Sequence, residues 1–158
     1  MVCVIYTDGA AKGNPGPGGY GTVVLSTTAE DQLKTEEFSG GYRCTTNNRM
    51  ELMAVIVGLE HSNPELDTVI YSDSKYVVDA FRNHWIESWQ KRGWRKADGT
   101  SVKNIDLWIR LLNALSTRKY VFEWVKGHNG DQLNERCDYL ATSAAVSNNL
   151  LEDKGFTM

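Results

Sequence analysis

TTNNRMELMAVIVGLEH, Thr45–His61, changes the rhythm of the chain. Apolar residues at Leu52, Met53, Ile56 and Leu59 recur at spacings of three and four, which predicts a helix beginning near Thr46. One acid, Glu51, falls in what this pattern makes the first turn. Before the helix the pattern is extended. VCVIYTD predicts a buried strand ending at Asp8, and TVVLS and the stretch around EEFSGGY predict two more, joined to the first as an antiparallel meander. The intervening GAAKGNPGPGGYG is expected to be an irregular loop, because Gly and Pro interrupt regular structure. After the helix, strands and helices alternate. DTVIYSD is a strand ending at Asp73, SKYVVDAFRN a helix with Ser74 as its N-cap, and NIDLWIRLLNAL a second helix beyond a Trp- and Lys/Arg-rich segment. KYVFEWV is a last strand, followed by a helix from about Asp131 to Val146. Strands first, then helices alternating with strands, predict an α/β protein with a five-stranded mixed sheet flanked by helices.

At 158 residues the chain fits a single domain, 1–158, with the weakly patterned tail SNNLLEDKGFTM expected to be poorly ordered from about residue 147. Apolar content of 41% and charged content of 23% are those of a soluble globular protein. No apolar run approaches the roughly 18 residues needed to span a bilayer, and MVCVIY lacks the basic flank of a signal peptide. Cys3, Cys44 and Cys137 are an odd number outside any C-x-x-C spacing. They read as free thiols of a cytoplasmic protein, packed as small hydrophobes, rather than as a disulfide frame or zinc site. Net charge is −3, yet residues 82–103 carry six basic side chains against Glu87 and Asp98, a local +4 in an otherwise acidic body.

Four acids sit at telling places. Asp8 and Asp73 end two strands, where ligands of α/β sheets gather, and could lie side by side. Glu51 opens a helix. Asp138 falls beside the apolar face Leu133, Cys137, Leu140, Ala141, Ala144 of the last helix. Taken singly, a strand-end Asp is ordinary turn chemistry and a first-turn Glu complements the helix dipole. All four together, with His128 in the Gly-flanked loop KGHNG, point instead to a constellation.

The blocks YTDGAAKGNPGPGGYG, TTNNRMEL, YSDSKYV, NHWIESWQKRGWRK and VKGHNGDQLNERCDYLA resemble, in order and spacing, bacterial-type ribonuclease H of type 1. The resemblance covers nearly the whole chain and is weakest at residues 26–37 and beyond 147. It implies the ribonuclease H-like fold and an endonuclease that hydrolyses the RNA strand of RNA–DNA hybrids, leaving 5′-phosphate and 3′-hydroxyl ends. It makes Asp8, Glu51, Asp73 and Asp138 the metal-binding catalytic carboxylates, assisted by His128. Clustered carboxylates suit Mg²⁺, with Mn²⁺ as a substitute, because hard cations prefer oxygen ligands and offset the mutual repulsion of acids. Two ions with substrate present would activate a water and stabilise the leaving oxygen.

A hybrid is recognised through the 2′-hydroxyl, which Glu51 can accept from, and through the shallow minor groove, within reach of the amides of Asn14, Asn47 and Asn48. Asn14 also fits a turn before Pro15, and Asn47 a helix cap. Trp85, Trp89 and Trp94 interleave with Lys91, Arg92, Arg95 and Lys96 in a segment that the resemblance makes a basic protrusion gripping the DNA strand. Trp108 and Trp124 are expected in the core. Two departures stand out: Cys44 occupies a position often basic, leaving Thr46 for phosphate, and Lys75 replaces a common Gln near the acids. The expected state is a cytoplasmic monomer with no membrane segment, with any replication or repair partner left unnamed by the sequence.

Overall fold

The computed structural model describes residues 2–28, 30–126 and 131–157. Three long strands come first: β1 (Val2–Ala11), β2 (Gly16–Thr27) and β3 (Leu33–Thr45). Helix α1 (Asn47–Glu60) follows, then β4 (Asp67–Ser72), α2 (Lys75–Arg82), α3 (Trp85–Lys91), α4 (Ile105–Leu115), β5 (Tyr120–Trp124) and α5 (Gln132–Ala145). The sheet order is β3-β2-β1-β4-β5. β1 is antiparallel to β2, as β2 is to β3, whereas β4 runs parallel to both β1 and β5. This is the expected mixed sheet.

The loop expected between the first two strands is mostly strand. β1 and β2 stay paired as far as Ala11↔Gly18, so only residues 12–15 turn. The glycines do not break the strand; they make room for a helix. A Cβ on Gly21 would stand 2.3 Å from the Cys137 carbonyl oxygen, and one on Gly19 2.4 Å from that of Ala141. Helix α5 therefore lies directly on the backbone of β2. The neighbouring Thr22 faces the other way and donates its hydroxyl to the Ala54 carbonyl of α1 at 2.6 Å. Alternation along β2 thus puts α1 and α5 on opposite faces of the sheet.

Helix α1 is buried on every side from Arg49 to Leu59, as a helix sandwiched between a sheet and another helix must be. Its side chains join Ile5, Val24, Ile70, Val77, Trp108, Leu111 and Phe122 in the main core. Cys3 and Cys137 are buried free thiols, and burial followed by the Asp8 charge pushes Cys137 up to about 12. No helix among the described residues is long and apolar enough to cross a membrane.

The tail is held, contrary to expectation. Leu151 bridges Tyr42 in parallel, its amide donating to the Gly41 carbonyl (2.9 Å) and its carbonyl accepting from the Arg43 amide (2.8 Å). Trp124 is a second correction. Expected in the core, it is 39% exposed, because β5 is an edge strand and Trp124 ends it.

Candidate active site

The register of the sheet brings Asp8 and Asp73 together. Parallel pairing of β1 with β4 ends at Tyr6↔Tyr71, whose rings stack at 4.7 Å. Asp8 and Asp73 each lie two residues further on, so they repeat that pairing just beyond the parallel ladder. Asp8 is not at the end of its strand, as the sequence suggested, since β1 continues against β2 alone. It stands at the end of the parallel part, which is where the strand-end rule applies.

Glu51 arrives from α1. Thr46 caps that helix by accepting from the Arg49 amide at 3.2 Å, which places Glu51 in the second turn and leaves the first without an acid. A dipole-complementing role, which needs the first turn, is thereby removed. The Gly9 amide lies between two carboxylates, with Asp8 Oδ1 at 2.9 Å and Glu51 Oε1 at 2.8 Å. One oxygen each from Asp8, Glu51 and Asp73 fall within 4.8 Å of one another. Glu51 is 7% exposed and its Oε2 is buried without a hydrogen-bond partner.

Three acids held this close cannot all ionise at ordinary cost. Burial, then the Asp73 charge, raise Asp8 to about 7. Burial, then the charges of Asp8 and Asp73, push Glu51 well above the usual carboxylate range. Asp138, half-buried on α5, lies outside the tight trio but near enough that its charge adds to the rise of Asp8. The donor set fits a hard divalent cation: all the facing ligands are carboxylate oxygens, and the orphaned Glu51 oxygen needs a proton or a cation. His128 lies outside the described residues.

The remaining predicted contacts fall into two groups. At the start of α1, Asn47 Oδ1 accepts from the Ala11 amide (2.6 Å) and Asn14 Oδ1 from the Asn47 amide (3.2 Å). Neither amide is a simple cap or turn residue; together they lash the β1–β2 turn to the helix. Asn48 is exposed beside them. In the basic segment, Trp89 packs edge-on against the buried Trp108 at 5.4 Å, and Trp94 packs on the core. Trp94 has φ +64, a left-handed turn that folds the segment back on itself. These two rings anchor the segment, while Trp85, Lys91, Arg92, Arg95 and Lys96 stay exposed on it. Lys75 sits over the Trp124 ring at 5.0 Å, and the Trp124 indole N–H donates to the Asp73 carbonyl at 3.3 Å.

Sequence reading missed Arg49, two residues before Glu51. It is 2% exposed and its guanidinium reaches Asp106, Asn104 and Asp153. A lone Arg in a helical pattern carries no signal of such burial, since its partners come from α4 and the tail.

Comparison with known proteins agrees with this architecture. The RNase H family model matches residues 1–146. A ribonuclease H of Lachnoclostridium phytofermentans is 54% identical over 156 residues, covering 97% of this chain and 98% of that one. Among solved structures, LC9-RNase H1, a type 1 RNase H with the type 2 active-site motif, superposes with TM-score 0.80 at 31% identity, over 91% of this chain and 72% of that one. LC11-RNase H1, solved with an RNA/DNA hybrid, gives TM-score 0.65 at 25% identity, over 90% and 96% of the two chains. With the sheet order, the carboxylate trio and a match across nearly its whole length, the chain belongs to the ribonuclease H family, type 1.

Proposed function

We propose that this protein, a single domain over residues 1–158, is an endonuclease that hydrolyses the RNA strand of RNA–DNA hybrids and leaves 5′-phosphate and 3′-hydroxyl ends. The observation that carries the reading is the clustered trio of buried Asp8, buried Glu51 and half-buried Asp73, with one Glu51 oxygen unsatisfied. The hybrid bound by LC11-RNase H1 supports the substrate class.

Asp8, Glu51, Asp73 and Asp138 are the groups that would hold Mg²⁺, with Mn²⁺ as a substitute and two ions when substrate is present. When bound, such ions supply an activated water and a stabilised leaving oxygen for in-line attack on a phosphodiester. The chain's own part is placement. The Gly9 amide fixes the Glu51 carboxylate through Oε1, which leaves Oε2 buried and without a hydrogen-bond partner, available to a cation. Asp8, between its neighbours, is the acid best placed to be shared. The exposed cations of the basic segment would meet phosphates of the DNA strand, with Trp85 offering a ring to a sugar. His128 would position the attacking water or help product leave, since an imidazole is the side chain suited to moving protons near neutral pH. The unpaired cysteines support a cytoplasmic setting, and a monomer is the proposed state.

Labelled RNA–DNA hybrid, incubated with Mg²⁺ or with excess EDTA, tests the reading. Cleavage confined to the RNA strand, lost in EDTA, and weak on duplex DNA, duplex RNA and single-stranded RNA is expected. Equal rates on duplex RNA, or full cleavage in EDTA, would overturn it. His128→Ala should lower kcat by an intermediate factor, about 10²–10⁴-fold, with KM little changed.

A further inference from the structure

The family match ends at residue 146, yet the chain beyond it is routed with care. Leu151 adds to the edge of β3, and Asp153 then accepts from Thr45 Oγ1 (2.7 Å) and from Arg49 through both its oxygens (2.7 and 2.9 Å). Next, Gly155 crosses the Arg49–Asp106 pair so closely that a Cβ would stand 1.9 Å from Asp106 Oδ2. A larger residue there would have to push the Asp106 carboxylate off Arg49. This path brings Phe156 and Thr157 to one side of a cleft of about 470 Å³ whose lining also includes Asn14, Thr46, Asn48 and Lys103.

The chemistry of that cleft is specific. Asn14, Thr46 and Asn48 gather at the N-terminus of α1, a 14-residue helix whose dipole favours an anion there. Lys103 is exposed and closes the basic segment. Arg49 borders the cleft as well, but Asp106 and Asp153 already occupy its guanidinium. The Asp106 carboxylate also lines the cleft but is paired with Arg49 through both oxygens, so the amides, the hydroxyl and the Lys103 cation are the groups left to meet a polyanionic strand passing through. The tail adds what these polar groups lack: a half-buried apolar ring and an exposed hydroxyl.

Resting on the hybrid-cleaving reading above, we infer that the C-terminal tail is one wall of the nucleic-acid grip. Phe156 lies against a sugar and Thr157 donates to a phosphate of the strand that Asn14, Thr46 and Asn48 hold from the other side. The tail wall is uncharged, so its contribution differs in kind from that of Lys103: it adds affinity without releasing counterions.

Phe156→Ala/Thr157→Ala tests this. Asp106, Asn104 and Asp153 hold Arg49 without help from either side chain, so the fold should persist, checked by an unchanged thermal midpoint. The first readout is the Kd of a labelled RNA–DNA hybrid by fluorescence anisotropy in EDTA, which needs no cleavage. The second is KM and kcat with Mg²⁺. Kd and KM should each rise about three- to tenfold, the share of one stacking contact discounted for partial exposure. The slope of log Kd against log salt and kcat should stay as in the parent, while Lys103→Ala flattens the slope. Unchanged Kd and KM in the double variant would overturn the role of the tail, even with cleavage intact. Tight hybrid binding that depends on the tail without any cleavage would instead overturn the activity and leave the tail's role standing. Equal tightening or loss for an acidic peptide competitor and the hybrid would mark the cleft as a peptide site and also overturn it.

Discussion

Arg49 and Glu51 stand two residues apart on α1, both buried, at the centres of charged clusters built on opposite plans. Around Arg49 every need is met. Nε donates to Asp153, Nη1 to Asn104 and Asp106, and Nη2 to Asp106 and Asp153, so all the N–H groups of the guanidinium find oxygens. Hydrogen bonds to Asp106 and Asp153 raise its pKa against the opposing effect of burial. Around Glu51 the charges are alike, one oxygen has no partner, and the carboxyl groups are driven toward their neutral forms. The first cluster joins α1, α4 and the tail into one framework. The second is held in an unfavourable state by that framework. Repulsion tolerated at one place and eliminated at the next marks the first place as a binding site.

The largest effect should come from the unsatisfied cluster. Asp8→Asn is expected to cut hybrid cleavage by roughly 10³-fold or more, from the several kcal/mol of transition-state stabilisation a metal site supplies. The same change should raise the unfolding midpoint of the metal-free protein by removing a like charge. Cleavage within about tenfold of the parent would break the contrast.

The satisfied cluster should respond in the opposite sense. Arg49→Ala leaves the largely buried Asp153 carboxylate without its cation and should cost about 3–5 kcal/mol of unfolding free energy in urea. Arg49→Lys should recover only part, since an ammonium cannot serve two carboxylates in forked geometry. A loss under about 1 kcal/mol for the alanine variant would show that the cluster is not a framework.

The pH dependence of the metal-free protein sharpens the comparison. Asp8 in the folded state binds its proton up to about 7, whereas an unfolded aspartate releases it near 3.8. Between those values the folded state holds more protons, so stability falls as pH rises. The decline should reach a few kcal/mol, at roughly 1.4 kcal/mol for each pH unit between the two titrations, become shallower in Asp8→Asn, where the raised Glu51 still contributes, and shrink when Mg²⁺ is added. Chemical denaturation from about pH 4 to pH 8 measures it, and rising stability across that window would contradict a protonated Asp8 in the folded protein.

Smaller effects belong to the periphery. Replacing Lys91, Arg92, Arg95 and Lys96 with Gln should raise KM and flatten its salt dependence by up to roughly 0.9 per lost phosphate contact, with kcat preserved. Smallest of all, Trp124→Phe removes the exposed hydrogen bond to the Asp73 carbonyl and should lower kcat by about two- to fivefold, with KM little changed. An unchanged kcat would reduce Trp124 to the partner of Lys75.

Much of the fold was legible because hydrophobic period and strand order are local signals. The helix from Thr46 and the change from antiparallel to parallel strands could both be read without coordinates. What escaped was set by distant segments. Gly19 and Gly21 looked like loop residues, and only the backbone of α5 explains them. Trp124 looked apolar enough for the core, but an edge strand leaves it exposed. Glu51 lies in the second turn rather than the first, because the helix is already regular from Asn47, ahead of the apolar pattern that starts at Leu52. Arg49 and Asp153 were invisible because 104 residues separate them and neither has a motif of its own.

Packing α5 onto bare strand backbone also sets an order of events. α5 touches β1, β2 and β3, elements that the chain made long before it. Contacts of such sequence separation form late, after the entropy of closing a long loop has been met. No ladder of the sheet runs through α5, so it can also leave as a unit while the strands stay paired. Native-state hydrogen exchange should therefore show α5 amides opening at lower free energy than those of β1 and β2. Each such excursion withdraws the Asp138 charge from the neighbourhood of Asp8, so the docking of one helix helps set how strongly Asp8 holds its proton.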